Sequence, residues 1–157
     1  MKAAEYSYRL MSADKTVDIS QIVNSVFDRS VAPLYTGRGR RNFREYANPE
    51  AMSLRVSSDH FVLLAEENDR VAGMIEMRSH RHVSLFFVDP DWQGRGLGGE
   101  LLRRALEICR SADPDVREIT VNSSPNAIGI YERMGFETMG NEQNINGVRS
   151  TPMRLRL

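Results

Sequence analysis

The chain has 157 residues, with 21 Lys plus Arg balanced by 21 Asp plus Glu, a formal net charge of zero and one cysteine. That length suits one domain with a real core, and the charge balance excludes a protein drawn to nucleic acid or an anionic membrane by its global field. Lone Cys109 excludes an intrachain disulfide or a thiolate metal cluster. Charges scatter through the first fifteen residues and about 18 apolar residues never run together, so a cytoplasmic protein without a membrane span is expected.

Ile19, Ile22, Val23, Val26 and Phe27 recur at helical spacing behind Thr16, which predicts a capped helix over about 17–28. VAPLYTG interrupts it, and a second helical piece carries Phe43 and Tyr46. Asn48 before Pro49 predicts a cap and first-turn pair opening a short helix through Leu54. HFVLLAEENDRVAGMIEMR reads as a hairpin, two apolar runs joined by Glu67-Asn68-Asp69. HVSLFFVDP is a third strand, apolar on both faces and therefore central, stopped by Asp89-Pro90. From Gly94 to Arg110 the pattern is helical, with Leu97, Leu101, Ala105 and Ile108 on one face and Leu102, Leu106 and Cys109 on the next row. REITVN is a strand. SSPNAIGIYERMGF is a helix with Ser at its start, Pro125 in its first turn and Gly135 past its end. In the tail Thr151, Met153, Leu155 and Leu157 alternate with Arg154 and Arg156, a half-exposed strand. This order predicts a three-layer α/β/α arrangement, one domain over residues 1–157, around a central mixed, mostly antiparallel sheet.

DPDWQGRGLGGE, residues 89–100, sets Gly94, Gly96, Gly98 and Gly99 ahead of the long helix. Gly94, Gly96 and Gly99 formally match G-x-G-x-x-G. A dinucleotide fold, however, runs its strand into the first glycine and sets a carboxylate about 20 residues on. Here residues 89–93 intervene and the following strand ends in Asn122. No Lys-Ser or Lys-Thr follows the glycines, which excludes a triphosphate loop. What remains is a helix N-terminus with about four unpaired amide hydrogens and a partial positive charge, suited to a phosphate or pyrophosphate.

Gln93-x-x-Gly96-x-Gly98 resembles the Q/R-x-x-G-x-G/A signature of the GNAT superfamily of N-acetyltransferases. AIGIYERMGF, with Ala127, Tyr131, Gly135 and Phe136 in register, resembles that superfamily's second acetyl-CoA motif. The resemblance covers about residues 60–140. It implies the GNAT-like acyl-CoA N-acyltransferase fold, acetyl-CoA as cosubstrate, no metal, and an amine-bearing small molecule or peptide as acceptor. It also implies that Gln93, Gly94, Arg95, Gly96, Leu97, Gly98 and Gly99 hold the pyrophosphate, Arg95 adding a side-chain charge. Phe86, Phe87 and Val88 then pair through their backbone with the pantetheine arm. Ser124 stands where the family has Asn, and Asn126 lies two residues on; both are candidates for the remaining coenzyme contact.

Attack of an amine on a thioester needs a neutral nucleophile, a stabilised oxyanion and a proton for the departing thiolate. Tyr131 matches the family's general acid: a phenol of pKa about 10 stays protonated at neutral pH and can donate to a thiolate whose conjugate acid has pKa about 8.5. An alkylamine of pKa about 10.4 needs a base. His82, six residues before Val88, Glu76 on the adjacent strand, and ordered water are the three candidates. Glu76 reads equally as an edge carboxylate facing water. Cys109 lies thirteen residues along the helix from Gly96, about 20 Å away, which favours a core thiol and direct attack over a covalent acetyl-cysteine. Arg38, Arg40, Arg41 and Arg44, near Tyr35 and Phe43, read as a solvated helix face or as a pocket for a carboxylate- or phosphate-bearing amine. Nucleic acid is disfavoured by the charge balance. The rival function is a CoA-binding sensor or regulatory module without turnover, and a monomer or homodimer is expected.

Overall fold

A computed structural model describes residues 5–157; the scatter of charges at the start of the chain falls in part on residues 1–4, which lie outside them. β1 (Ser7–Leu10) leads into α1 (Thr16–Ser30), α2 (Gly37–Tyr46) and α3 (Pro49–Val56). Then come β2 (His60–Glu67), β3 (Arg70–Arg78), β4 (His82–Val88) and α4 (Leu97–Ala112). β5 (Glu118–Ser123), α5 (Ile128–Arg133), β6 (Glu137–Thr138), β7 (Gln143–Ile145) and β8 (Val148–Arg156) follow. No described helix is long and apolar enough to cross a membrane.

The sheet order is β1-β2-β3-β4-β5-β8-β6, with β7 paired to β8 off that path. Among the described strands only β4 and β5 run parallel, so the sheet is mixed and mostly antiparallel, with β4 at its middle as its two-sided apolar run requires. Leu97, Leu101, Ala105 and Cys109 of α4 and Tyr131 of α5 pack on one face with Ile75 and Val121. Ile19 and Val23 of α1 and Met52 of α3 pack on the other with Val62, Leu64 and Met74. This is the three-layer arrangement that the alternation of strand and helix signals implied.

Local chemistry explains most boundaries. Asn68 and Asp69 both take positive φ (50° and 63°) between β2 and β3, the backbone handedness that matches strand twist in a two-residue hairpin. Asn48 caps α3, its side chain accepting from the Ala51 amide at 2.8 Å, and Pro49 sits where a missing N–H costs nothing. Three expectations are corrected. Thr16 is the first helical residue, not the cap of α1: a 3-10 turn over Ala13–Lys15 already holds Lys15 in helical torsions, and no side chain caps the helix. α4 starts at Leu97 instead of Gly94, because Gly94 and Gly96 both have φ of 79° and belong to the preceding loop. β1, absent from the sequence reading, adds an edge strand to β2.

Candidate active site

Strand β4 is irregular where it matters. Glu76 pairs with Leu85 but Met77 with Val83, so Ser84 is an extra residue, a bulge. The bulge reverses which side chains face which layer: Val83 and Phe86 join the α4 face, Leu85 and Phe87 the α1 face. Beyond the bulge β4 also loses its other neighbour. Its parallel pairing with β5 is limited to His82 with Thr120 and Val83 with Val121, leaving residues 84–88 with a free strand edge. A cleft of about 1030 Å³ opens there.

Most of the residues singled out from sequence line this one cleft. β4 contributes His82, Phe86, Phe87 and Val88; the loop contributes Gln93, Gly94 and Gly96; the start of α4 contributes Leu97, Gly98 and Gly99. Ser124, Asn126 and Tyr131 face it from the β5–α5 side. Among the described residues no protein acceptor takes the amide hydrogens of Gly94, Gly96, Leu97, Gly98 or Gly99. A Cβ on Gly94, Gly96 or Gly99 would meet nothing within 4 Å, so the room above these amides is open to a ligand. Together with the helix dipole they have the geometry that suits an anion.

Tyr131 is positioned by the end of its own helix. The Phe136 amide donates to the Tyr131 carbonyl and the Gly135 amide to Glu132, both at 3.0 Å, with Gly135 at φ 99°. This is a Schellman closure, and its usual apolar contact is the Tyr131–Phe136 ring pair, 5.3 Å between centroids. Phe86 of β4 meets the same ring edge-on at 6.2 Å. Tyr131 is 8% exposed, and burial pushes its phenol above the ordinary range. Ser124 does not cap α5; its hydroxyl donates to Asn126 Oδ1 at 2.8 Å, tying the two candidates together. Gln93 Nε2 donates to the Val88 carbonyl at 3.0 Å, which occupies one acceptor near the free edge.

Two predicted residues, Arg95 and Glu76, stand differently from expectation. Arg95 turns its guanidinium away, to the Asp91 carbonyl (3.1 Å) and Tyr6 hydroxyl (3.4 Å), with Glu67 at 3.8 Å, so its charge does not reach the cleft. Glu76 is fully buried and does not face water. It accepts from Arg55 at 2.9 and 3.1 Å, from Tyr46 at 3.3 Å, and pairs with His60 Nδ1 at 3.0 Å. It lies behind Tyr46, which itself lines the cleft. His82 is the first residue of β4; the turn beside it is made by Ser79 and His80, both with positive φ. Its Nδ1 lies 2.7 Å from Thr120 Oγ1. Burial first, then the charges of Arg78 and His60, pull its pKa down to about 4. Burial likewise raises the Cys109 thiol to about 11, as suits a core residue.

The arginine cluster also divides. Arg44 pairs with Asp28 at 2.9 Å and Arg40 donates to the carbonyls of Ala32 and Tyr35, while none of Arg38, Arg40, Arg41 or Arg44 lines the cleft. Their aromatic neighbours Tyr35 and Phe43 do. Sequence reasoning missed Ile145 and Val148, which flank the Asn146-Gly147 turn of the β7–β8 hairpin and line the cleft. The signal was present, since Asn-Gly between two apolar residues is a strong two-residue hairpin mark. It also missed the Ser84 bulge, for which no local signal exists.

Comparison with known proteins gives a consistent picture. A family model described as "Acetyltransferase (GNAT) domain" matches residues 31–157. A peptidyl-lysine N-acetyltransferase, YjaB of Salmonella typhimurium, is 28% identical over 83 residues, 53% of each chain. The chain spans about half or less of the length of the curated relatives it matches. Among solved structures, a GCN5-related N-acetyltransferase from Rhodopseudomonas palustris superposes with a TM-score of 0.84 at 19% identity, covering 100% of this chain and 99% of that one. PaiA N-acetyltransferase from Thermoplasma acidophilum, in complex with coenzyme A, gives 0.78 at 18% identity, covering 98% and 99%.

Proposed function

The chain belongs to the acetyltransferase (GNAT) domain family, and from that membership we propose that it carries an acetyl group from acetyl-CoA to a primary amine by direct attack. One observation carries the reading: the bare amides at the start of α4, the free edge of β4 and the Tyr131 phenol all open onto one cleft. A pyrophosphate suits the first, since unpaired N–H groups and the helix dipole favour an anion and no Cβ stands in its way. An extended, amide-bearing pantetheine arm suits the second, as an added strand. Acetyl-CoA, when bound, supplies an acyl group activated by its sulfur.

Tyr131 keeps its proton at neutral pH because burial disfavours the phenolate, and in this reading it gives that proton to the departing sulfur. His82, held near pKa 4, is neutral at pH 7 but a weak base. Glu76 is closed off behind Tyr46 with Arg55 and His60 as partners. Deprotonation of the amine therefore falls to water at the cleft.

Calorimetric titration with CoA and a thiol-release assay test this together. Tyr131→Phe retains coenzyme affinity while kcat falls by about 10²–10⁴, the usual worth of general-acid help. Coenzyme binding without thiol release from any amine favours the sensor function instead, and a folded sample that binds no CoA ends the reading.

A further inference from the structure

The cleft carries almost no negative charge. Among the described residues its lining contains no aspartate or glutamate; its charged groups are Arg78 and Arg133, beside an imidazole, His82, held neutral. Two carboxylates on neighbouring elements are already neutralised, Asp28 by Arg44 and Glu76 by Arg55, each at 2.9 Å. Aromatic rings line the cleft, among them Tyr35, Phe43 and Phe87, with Phe27 buried behind them. Phe27 stacks on Phe43 with centroids 3.8 Å apart and planes 7° from parallel; Tyr35 tilts onto Phe27 at 5.5 Å, and Phe43 meets Phe87 edge-on at 6.0 Å. Ile145 of the β7–β8 hairpin adds an apolar side chain that is 61% exposed. At the bulge the buried Ser84 hydroxyl stands beside the hydroxyl of Tyr46, another cleft-lining residue.

Resting on the transferase reading, we infer that the acceptor is an arylalkyl monoamine: an aromatic body, one primary amine, and otherwise no charge or a carboxylate. A polyamine or aminoglycoside has to bring further cations out of water, and a cleft lined by arginines and no carboxylate gives nothing to offset that cost. An aryl ring instead finds ring partners at the 4.5–7 Å spacing that aromatic pairs favour. The Arg78 guanidinium makes no hydrogen bond or ion pair among the described residues and stands beside His82, so a carboxylate on the acceptor has a partner there. The amine nitrogen forms the new C–N bond as the C–S bond breaks. The amine's proton leaves to water, and the sulfur takes the proton of Tyr131, which water then restores.

Thiol release at saturating acetyl-CoA, measured with phenethylamine, phenylalanine, spermidine, kanamycin and a lysine-rich peptide, tests the assignment. The better of the two aryl substrates exceeds spermidine and kanamycin in kcat/KM by at least roughly tenfold, the scale on which apolar pockets discriminate. Phe43→Ala lowers aryl-amine kcat/KM by roughly 10- to 100-fold with CoA affinity retained. Because Phe43 packs on buried Phe27, its thermal melt is recorded alongside, and Ile145→Ser, at an exposed position, supplies an independent arm with a raised KM for the aryl amine. Arg78→Gln raises the KM for phenylalanine alone if the carboxylated form is the true acceptor, and leaves both aryl substrates alike if the uncharged form is. Spermidine, kanamycin or the peptide turning over as well as the aryl amines overturns this inference and leaves the transferase reading intact. Unchanged aryl-amine KM in both Phe43→Ala and Ile145→Ser overturns it as well. No thiol release from any amine, by protein that binds CoA, overturns both.

Discussion

At Gly99 the backbone lies outside the left-handed region and a Cβ would meet nothing within 4 Å, so neither torsion nor packing within the protein asks for glycine. In the first turn of α4 it costs up to about 1 kcal/mol relative to alanine. Gly99→Ala is therefore expected to raise the stability of the free protein by up to that amount while weakening CoA binding at least tenfold, about 1.4 kcal/mol. Denaturant melts and calorimetry on one sample check both signs, and an alanine variant with undiminished CoA affinity removes Gly99 from the proposed anion site. The contrast with Glu76 explains what a sequence can carry at this scale. The glycines and Tyr131 are legible because their partners are local: a helix terminus for the former, and Gly135 and Phe136 within five residues for the latter. The partners of Glu76, namely Tyr46, Arg55 and His60, lie 16 to 30 residues away, and the sequence left it open as a candidate base or an edge carboxylate.

Among the elements, the β7–β8 hairpin meets α2 and its cap through a close approach of backbone at two glycines. A Cβ on Gly39 would lie 2.2 Å from the Gly147 carbonyl oxygen, and one on Gly147 would lie 1.9 Å from Thr36 Oγ1. Asn42 adds a hydrogen bond to the Asn146 carbonyl at 3.3 Å. Gly39→Ala forces the two apart, at a cost of about 1–3 kcal/mol for overpacking. Because Ile145 and Val148 move with the hairpin, the acceptor KM rises while CoA affinity stays near wild type. A wild-type denaturation midpoint for the variant contradicts the contact. Helices α1 to α4 and strands β2 to β5 were readable from period and punctuation. β1 was not, because its burial pattern shows three exposed residues of four and offers no alternation. The pairing of Gly39 with Gly147 had no sequence signature either: it joins positions from opposite ends of the chain through the absence of side chains.

For the molecule as a whole, His82 ties stability to pH. Its pKa is about 4 when folded against an ordinary 6.5, lowered mainly by burial. Between those values the unfolded chain takes up a proton that the folded one refuses, so stability is full above pH 6.5 and declines as pH falls toward 4. The carboxyl groups of Glu100, Asp113 and Glu137 are all shifted downward, so their contributions are lost only at lower pH. Melting temperatures of wild type and His82→Gln from about pH 4 to 8 isolate the effect: the variant has the shallower slope in that window, and identical slopes refute it. Fold class was readable at this scale because alternating strand and helix signals admit few layer arrangements. The opening in the sheet was not, since it arises from where pairing stops. Just two residue pairs, His82 with Thr120 and Val83 with Val121, bridge β4 and β5. The sheet is thus two plates whose hydrogen bonding is laced by a short stitch, while the core under α4 runs beneath both. If the proposed coenzyme arm lies there as an added strand, occupancy and cohesion of the two plates rise together.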